Sequence, residues 1–485
     1  LFALRLYPLM KYRLPPGPLP LPLIGNLHNL EAHVSHCFEK MSLKYGDILS
    51  VWVGTTLTIV VLSSELAREV LKEKDRELAN RLLTAPVDVL FHHGIGLVWS
   101  NFGPYYSKLR KFVTHELFSP KRVEAMRAAR EEEAAAMIRA IARDSDGDKS
   151  VVLRQYVHVV IFNFLTMLVL GEKFIDEDGK VDERGLELEA LVREEGRLAM
   201  ALFPAEMIWW LSWVVGIKRR DFANHMARRE RFVTSFMDAR RKAAEAGGSS
   251  PHLVESLLSL GSVHQLRDED VTSLIWDMLN TGMDTGTIAV ECTIAALVRH
   301  PDVQAKLQEE LDRVIPPGAV VSEIDIPKLP YLRCVVKESL RLYPPSPLMV
   351  PHRALTTVKI GGYDIPAGAS IIVDVRATGR DPRAWADPLE FKPERFLEED
   401  VDYRGSDFRL LPFGAGRRMC PAAVLSFNMV AAMVGLLIHQ FNWRPPPGKQ
   451  PSEIDMTCSP GVTEYLKTKL EAVPTMRLPE NMYKL

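Results

Sequence analysis

Cys420 has the most conspicuous chemical setting in this chain of 485 residues. It closes Phe413-Gly414-Ala415-Gly416-Arg417-Arg418-Met419-Cys420, a glycine-rich and doubly basic loop, and an apolar run of helical character follows from Val424 to Leu437. Two arginines and the N-terminus of a following helix lower a thiol's pKa, so the setting suits a thiolate that must stay ionised. Glycines let the backbone fold tightly and turn N–H groups toward sulfur. Such a cysteine can hold haem iron, and thiolate donation favours O–O cleavage. Taken alone, Cys420 reads more simply as a buried cysteine ahead of a helix; the whole stretch is far rarer.

A second stretch breaks local rules. Trp276-Asp277-Met278-Leu279-Asn280-Thr281-Gly282-Met283-Asp284-Thr285-Gly286-Thr287 lies midway along a helix that the spacing predicts from Asp268, its cap, to about Arg299. Gly282 and Gly286 each cost about 1 kcal/mol against alanine there. Such violations concentrate at functional sites, although a kink satisfied by threonine hydroxyls gives the same pattern. Glu338 and Arg341 stand three apart, an ordinary helical ion pair worth about 0.2–0.5 kcal/mol. Tyr106 and Arg110 stand four apart and share a helix face. On that ground alone Arg110 is a solvated charge.

The totals exclude several classes. A net charge of −2 makes no case for nucleic acid. The five cysteines are scattered, without a CxxC pair, and their odd number argues against a disulfide framework and for a reducing compartment. The 13 histidines form no HExxH-like metal pattern.

Along the chain, Leu1 to Met10 is apolar apart from Arg5 and too short to span a bilayer, which takes ~20 apolar residues. It reads as the tail of an N-terminal anchor or as an ordinary apolar segment. Leu14 to Pro22 holds five prolines and reads as a stiff, extended spacer. Strand, tight turn and strand run from Leu49 to Leu62, and a helix follows from Ser64 to Lys74. Arg81 to Trp99, with His92 and His93, reads as a surface loop. Arg122 to Arg143 is a charged helix. Val151 to Leu170 is nearly long enough to span a membrane, but Arg154, Gln155, His158 and Asn163 make it a buried core helix. The tryptophans of 201–215 suit core, channel or membrane surface. Lys218 to Arg241 reads as a solvated basic face or as a docking face for an acidic partner. Ala246 to Pro251 is a loop, and Ile360 to Gly368 is a hairpin with a glycine turn.

The Cys420 loop resembles the haem-binding signature of the cytochrome P-450 family, Phe-x-x-Gly-x-Arg-x-Cys-x-Gly, at Phe413, Gly416, Arg418 and Cys420, with Ala422 in place of the last glycine. The resemblance extends from the proline stretch to the C-terminus. It implies a mainly α fold with small β-sheets (α+β), in which a long central helix lies over haem and the cysteine loop beneath. It divides the chain into residues 1–13 as the remnant of a membrane-anchor region, 14–30 as a proline-rich hinge and 31–485 as one catalytic domain. Cys420 becomes the axial ligand of haem b, and Phe413, Arg418, Tyr106, Arg110 and His352 become haem contacts. Here Tyr106 replaces the family's tryptophan, and His352 takes a position where the family commonly has a propionate-binding arginine. Asp284 and Thr285 match the acid and alcohol that relay protons to bound dioxygen, while Thr281 and Gly286 depart from the pattern. Glu338, Arg341 and Arg395 match a buried triad that locks the loop before the cysteine. Phe91, Thr281, Met349 and Val462 fall about the substrate pocket.

Within the family, Gly103 to Tyr106, Glu116 to Arg122, Trp276 to Met278, Gly282 to Thr285, Val358 to Pro366, Phe391 to Asp402 and Asp407 to Phe413 are similar to the plant microsomal hydroxylases that 3-hydroxylate p-coumaroyl esters. Thr281, Gly286, Ala422 and the run Arg376 to Arg380 mark a divergent member. The implied reaction gives a caffeoyl ester from O2 and NADPH-derived electrons, delivered by an NADPH-cytochrome reductase at the endoplasmic reticulum membrane, with the catalytic domain facing the cytosol. The acyl acceptor is shikimate, quinate or a related group such as hydroxyphenyllactate or an amine. Oxidation of another plant metabolite is an alternative. So is a haem-thiolate isomerase or dehydratase that needs no reductase, against which the Asp284–Thr285 pair speaks.

Overall fold

The computed structural model describes residues 11–483 except 84–87, 89, 92–93, 146–148, 177, 202–211, 246–253, 256 and 259–265. Leu1 to Met10, His92, His93, Trp209, Trp210, the side chain of Trp213 and the 246–251 loop therefore lie outside the described residues.

The β-branched run after Asp47 forms β1 (Ile48–Val53) and β2 (Thr56–Val61), paired antiparallel with Ile48 opposite Val61 and Val53 opposite Thr56. Successive side chains of a strand alternate between faces. Here the two faces feed separate cores: Ile48, Trp52, Ile59 and Val61 pack into one, Leu49, Val51 and Val60 into the other. Three shorter strands, β3 (Asn80–Arg81), β4 (His352–Arg353) and β5 (Ser370–Val373), complete a five-stranded sheet in the order β1-β2-β5-β4-β3. That order sets Arg81 directly opposite His352. The hairpin Val358–Ile360 and Tyr363–Ile365 turns at Gly361 and Gly362, whose φ values of 55° and 80° are those a two-residue hairpin loop needs.

The proline stretch is extended, as its composition dictates, but it is no free spacer. Ser50 donates to Pro16 O through N–H at 2.9 Å and to Pro15 O through Oγ at 2.7 Å. A Cβ on Gly17 would fall 1.9 Å from Ser50 O. Buried Asn26 closes the contact, donating to Pro18 O and Leu19 O at 3.1 Å each and accepting from Trp52 N at 2.8 Å.

The helices that bear on the site are α1 (Pro104–Phe112), α2 (Leu153–Val169), α3 (Glu183–Ala201), α4 (Ser212–Glu245), α5 (Asp268–Arg299), α6 (Pro330–Leu342) and α7 (Ala423–Gln440). The α5 boundaries are those the spacing predicts, but Asp268 is not the cap. Asp270 accepts from Arg267 N at 2.9 Å, closing the first turn from inside the helix. The helix expected from Arg122 to Arg143 breaks at Met126 into Pro120–Ala125 and Arg127–Asp144. α7 is the one helix among the described residues long and apolar enough to cross a membrane, and most of it is buried core.

α5 joins two cores. Val271 to Met283 pack with α1, α3 and α4, and Ile288 to Val298 pack with α2, α6 and α7. The four residues between them, Asp284 to Thr287, sit at the seam. The two glycines that break helix rules serve close packing: a Cβ on Gly282 would lie 2.9 Å from Leu165 Cδ2, and one on Gly286 3.0 Å from Ile161 Cδ1. The helix runs through both without interruption.

Replacing Asn26 with alanine should leave Trp52 N–H and two carbonyls without their partner and cost about 1–3 kcal/mol. Chemical denaturation should show a lowered midpoint with haem content unchanged.

Candidate active site

The Cys420 loop is shaped by backbone that only glycine adopts easily. Gly414 and Gly416 have φ of 69° and 67°. A Cβ on Gly416 would fall 2.1 Å from Leu71 O. Cys420 N donates to Phe413 O at 2.9 Å, so the loop closes on its own first residue. Phe413 stacks edge-on against Tyr403, with centroids 6.0 Å apart. Ala422, where the family signature has glycine, has φ −93° and ψ 10°, a conformation open to any L-residue.

Burial pushes the Cys420 thiol pKa up, while the Ala422 N–H and the Arg110 guanidinium pull it down. The expectation that the loop's own arginines do the pulling is corrected. Arg417 lies over the Phe102 ring at 5.1 Å and pairs with Asp75 at 3.4 Å. Arg418 donates to Ala79 O at 2.7 Å, to Leu97 O at 3.3 Å and to Ser100 O. Its guanidinium also lies over the Tyr106 ring at 4.0 Å. The Tyr106 hydroxyl donates to Arg417 O at 2.6 Å. Tyr106 and Arg418 thus brace each other and the loop.

A second group of cations stands beside the loop. Arg81, which sequence reasoning passed over, is buried and donates to Val98 O at 3.0 Å and Val350 O at 2.6 Å. Burial and the nearby Arg418 push its pKa down to about 9. His352 is buried and its neighbour Arg353 exposed, so of the pair it is the histidine that faces inward. Its Nδ1 donates to Leu78 O at 3.0 Å. Burial, Arg81 and Arg418 push its pKa down to about 3, which keeps the ring neutral. Arg110 is half-buried and, among the described residues, has neither a hydrogen bond nor an ion pair. Burying guanidiniums together is costly unless an anion offsets them. The donor set fits a prosthetic group that carries carboxylates and offers its metal to the thiol.

The frame behind the loop is a buried carboxylate with two forks on it. Glu338 receives Arg341 Nε at 2.6 Å and Nη2 at 2.8 Å, Arg395 Nε at 3.1 Å and Lys392 N at 2.8 Å. Arg341 also donates to Gly379 O, Pro388 O and Glu390 O, and Arg395 to Ala386 O and Asp387 O. Trp385 lies beneath Arg341, Arg395 and Arg409 at 5.2, 5.9 and 5.7 Å. No spacing rule pointed to Trp385, because its role exists only where three arginines from different segments converge.

On α5, Thr281 Oγ1 donates to Asp277 O at 2.7 Å and Thr285 Oγ1 to Thr281 O at 3.3 Å, while both side chains keep an open face. Burial and, less strongly, the Asp284 carboxylate push the Tyr465 phenol's pKa up. Asp277, another residue without a predicted role, accepts from Leu97 N at 2.7 Å and Val98 N at 3.2 Å, tying the 94–98 backbone to α5. Above this the roof is polar. Glu195 of α3 accepts from Trp276 Nε1 at 2.8 Å, Asn280 Nδ2 at 2.9 Å and Arg229 Nη1 at 3.1 Å. Arg229 belongs to the basic stretch read as solvated, and it is 2% exposed.

The four pocket candidates fall on four separate segments. Phe91 is in the roof, tilted against Trp99 at 5.2 Å and beneath Arg229 at 5.9 Å, and Thr281 lies on α5. Met349 approaches the cysteine loop, its Sδ 3.2 Å from where a Gly414 Cβ would be. Val462 sits in an exposed C-terminal turn, its carbonyl accepting from Ser346 Oγ at 3.1 Å.

A lone thiol at a helix N-terminus, buried cations beside it and an acid–alcohol pair on a crossing helix are the parts of a haem-thiolate site. The family profile named Cytochrome P-450 matches residues 15–470, and the chain belongs to that family. Haem with a cysteine thiolate ligand is the family's prosthetic group, and reductase-supplied electrons from NADPH serve it. The chain is 47% identical to cytochrome P-450 98A2 of Glycine max, over 99% of this chain and 95% of that protein. It is 45% identical to cytochrome P-450 98A1 of Sorghum bicolor, over 97% and 93%. It is 34% identical to a flavonoid 3'-monooxygenase of Petunia hybrida, over 99% and 95%.

Two outcomes follow from this geometry. Arg341→Lys keeps the charge but loses the fork, and breaking a buried pair of this kind costs about 3–5 kcal/mol. The carbon monoxide difference spectrum should show most of the haem-thiolate lost. His352 binds its proton at 6.5 when unfolded and at about 3 when folded. Between those values the unfolded chain holds the extra proton, so stability falls as pH is lowered through that window. His352→Asn should flatten the pH dependence of the denaturation midpoint there by at most about one proton.

Proposed function

We propose that this protein is a haem-thiolate monooxygenase that 3-hydroxylates the phenol ring of p-coumaroyl esters, giving caffeoyl esters. The observation that carries the chemistry is the half-open Asp284–Thr285 pair at the seam of the two cores, on a helix that packs against α7. When bound, haem supplies dioxygen activation and insertion of one oxygen atom into a C–H bond, with electrons from NADPH through the reductase. Cys420 is the thiolate that holds it. Arg110, Arg418 and His352 would face its carboxylates, with Tyr106 and Phe413 bracing the loop, and Arg81 adds positive charge on the same side. Asp284 and Thr285 hold and pass protons. Glu338, Arg341 and Arg395 keep the loop in place, and the roof of Phe91, Trp276 and Arg229 excludes water.

The substrate reading is supported by the stretches similar to plant p-coumaroyl ester hydroxylases and by the 98A relatives. Relatives named flavonoid 3'-monooxygenase agree with oxygen insertion into a ring. The same resemblance supports a catalytic domain at 31–485, a hinge at 14–30 docked on β1 and an anchor remnant at 1–13 that places the enzyme on the endoplasmic reticulum membrane, facing the cytosol.

Spectral titration with p-coumaroyl shikimate, quinate and hydroxyphenyllactate, free p-coumarate and a terpene tests this. One ester should shift the haem from low to high spin and yield a catechol with reductase and NADPH. A shift with the terpene alone would remove the ester assignment, and turnover without NADPH would remove the monooxygenase.

A further inference from the structure

The backbone at Leu97 and Val98 is held on both of its polar sides. Its N–H groups point to α5, where Leu97 N at 2.7 Å and Val98 N at 3.2 Å both donate to Oδ2 of buried Asp277. Its carbonyls go to the cations beside the cysteine loop. Leu97 O accepts from Arg418 Nη1 at 3.3 Å, and Val98 O accepts from Arg81 Nε at 3.0 Å. The approach leaves no slack: Gly96 has φ 105°, and a Cβ there would fall 2.7 Å from Asp277 Oδ2. The two guanidiniums carry the strap onward. Arg418 reaches Ala79 O at 2.7 Å and Arg81 reaches Val350 O at 2.6 Å, both beside the strand pair in which Arg81 stands opposite His352. Peptide groups that donate to an acid and accept from a cation are polarised in one direction, which strengthens the bonds at both ends.

We propose that Asp277 is a positioning residue for Arg418 and Arg81, acting through the Leu97–Val98 backbone and holding the two guanidiniums where the haem carboxylates meet them. The inference rests on the haem reading of the Cys420 site. Without the acid, both N–H groups lose their acceptor, and each guanidinium holds a carbonyl that α5 no longer fixes. Thr281 Oγ1 donates to Asp277 O at 2.7 Å, so the turn of α5 that bears a pocket candidate also bears the strap. The pocket and the cations are then parts of one connected unit. The sign of the effect follows from charge. Cations held at the carboxylates favour the electron that reduction adds, so loosening them lowers the reduction potential. Removal of a nearby negative charge acts by itself in the opposite sense.

The test is Asp277→Leu in the full holoprotein, read by potentiometric titration of the haem and by the resonance Raman bands of its carboxylate groups. The reduction equilibrium should fall about tenfold, or about 59 mV for one electron, the scale of one hydrogen bond to a charged group. The carboxylate bands should shift with it. Asp277→Ala removes the acceptor without the bulk of leucine and should give the same result. Asp277→Asn keeps an oxygen for both N–H groups and should return both readings to wild-type values. Tyr105→Phe loosens the same segment one residue away, because the Tyr105 hydroxyl accepts from Gly96 N at 3.3 Å and donates to Asp270 at 2.8 Å. It should leave the potential and the bands unchanged. An equal shift in Tyr105→Phe would overturn the proposal, since general loosening would then be the cause. So would a potential that rises in all the Asp277 variants, which is the sign of a direct charge effect, or one that holds at the wild-type value in the leucine and alanine variants. A loss of haem in those two variants that asparagine does not restore would count against it equally. Failure of the wild-type protein to give a haem-thiolate carbon monoxide spectrum would instead sink the haem reading.

Discussion

The Glu338 carboxylate is the contact on which the cysteine loop depends. It is fully buried, and a buried charge survives only when its lone pairs are filled. Two guanidiniums and one backbone N–H fill them. The remaining donors of Arg341 and Arg395 then collect the carbonyls of Gly379, Ala386, Asp387, Pro388 and Glu390. A stretch with little regular structure is thereby held by one ionic node on α6. The loop that ends at Cys420 begins at Phe413, 18 residues after Arg395 on the same segment of chain.

Electrostatics on the other side of the loop run the opposite way. Arg81, Arg110 and Arg418 converge with the neutral His352, and among the described residues Asp75 is the acid near them, itself taken by Arg417. The surplus positive charge is a cost to the protein without its prosthetic group and becomes a binding contribution once carboxylates enter. The neutral histidine fits this balance, since a further buried cation would raise the cost.

Helix packing sets the chemistry of α5. Gly282 and Gly286 let α2 approach to within side-chain contact of the α5 backbone, and the same turn carries Asp284 and Thr285 at the seam between two cores. A side chain at either glycine would push α2 away from the turn that carries the acid. The roof is fixed by charge instead. Glu195 takes donors from α4 and α5, while Asp277 takes two N–H groups from the 94–98 backbone.

Much of the site was legible in the chain because its parts are local. The glycines, the basic pair and the cysteine fall within eight residues, the acid–alcohol pair is adjacent, and Glu338 and Arg341 share one helix turn. Helix and strand periodicities placed α2, α5, α7 and the β1–β2 pair for the same reason. What the chain by itself did not reveal are partnerships across long separations: Arg81 beside His352 through sheet order, Trp385 under three arginines, Arg229 with Glu195, and Arg154 with Glu291. The assignment of Asp268 as cap and of the loop arginines as the groups that pull the thiol's pKa down failed similarly, since each named the nearest group of the right charge. Sequence determines which residue types stand where along one strand or one turn. Which buried charge meets which partner is decided by the fold, because burial raises the cost of every unpaired group and only the packed chain can say who is near.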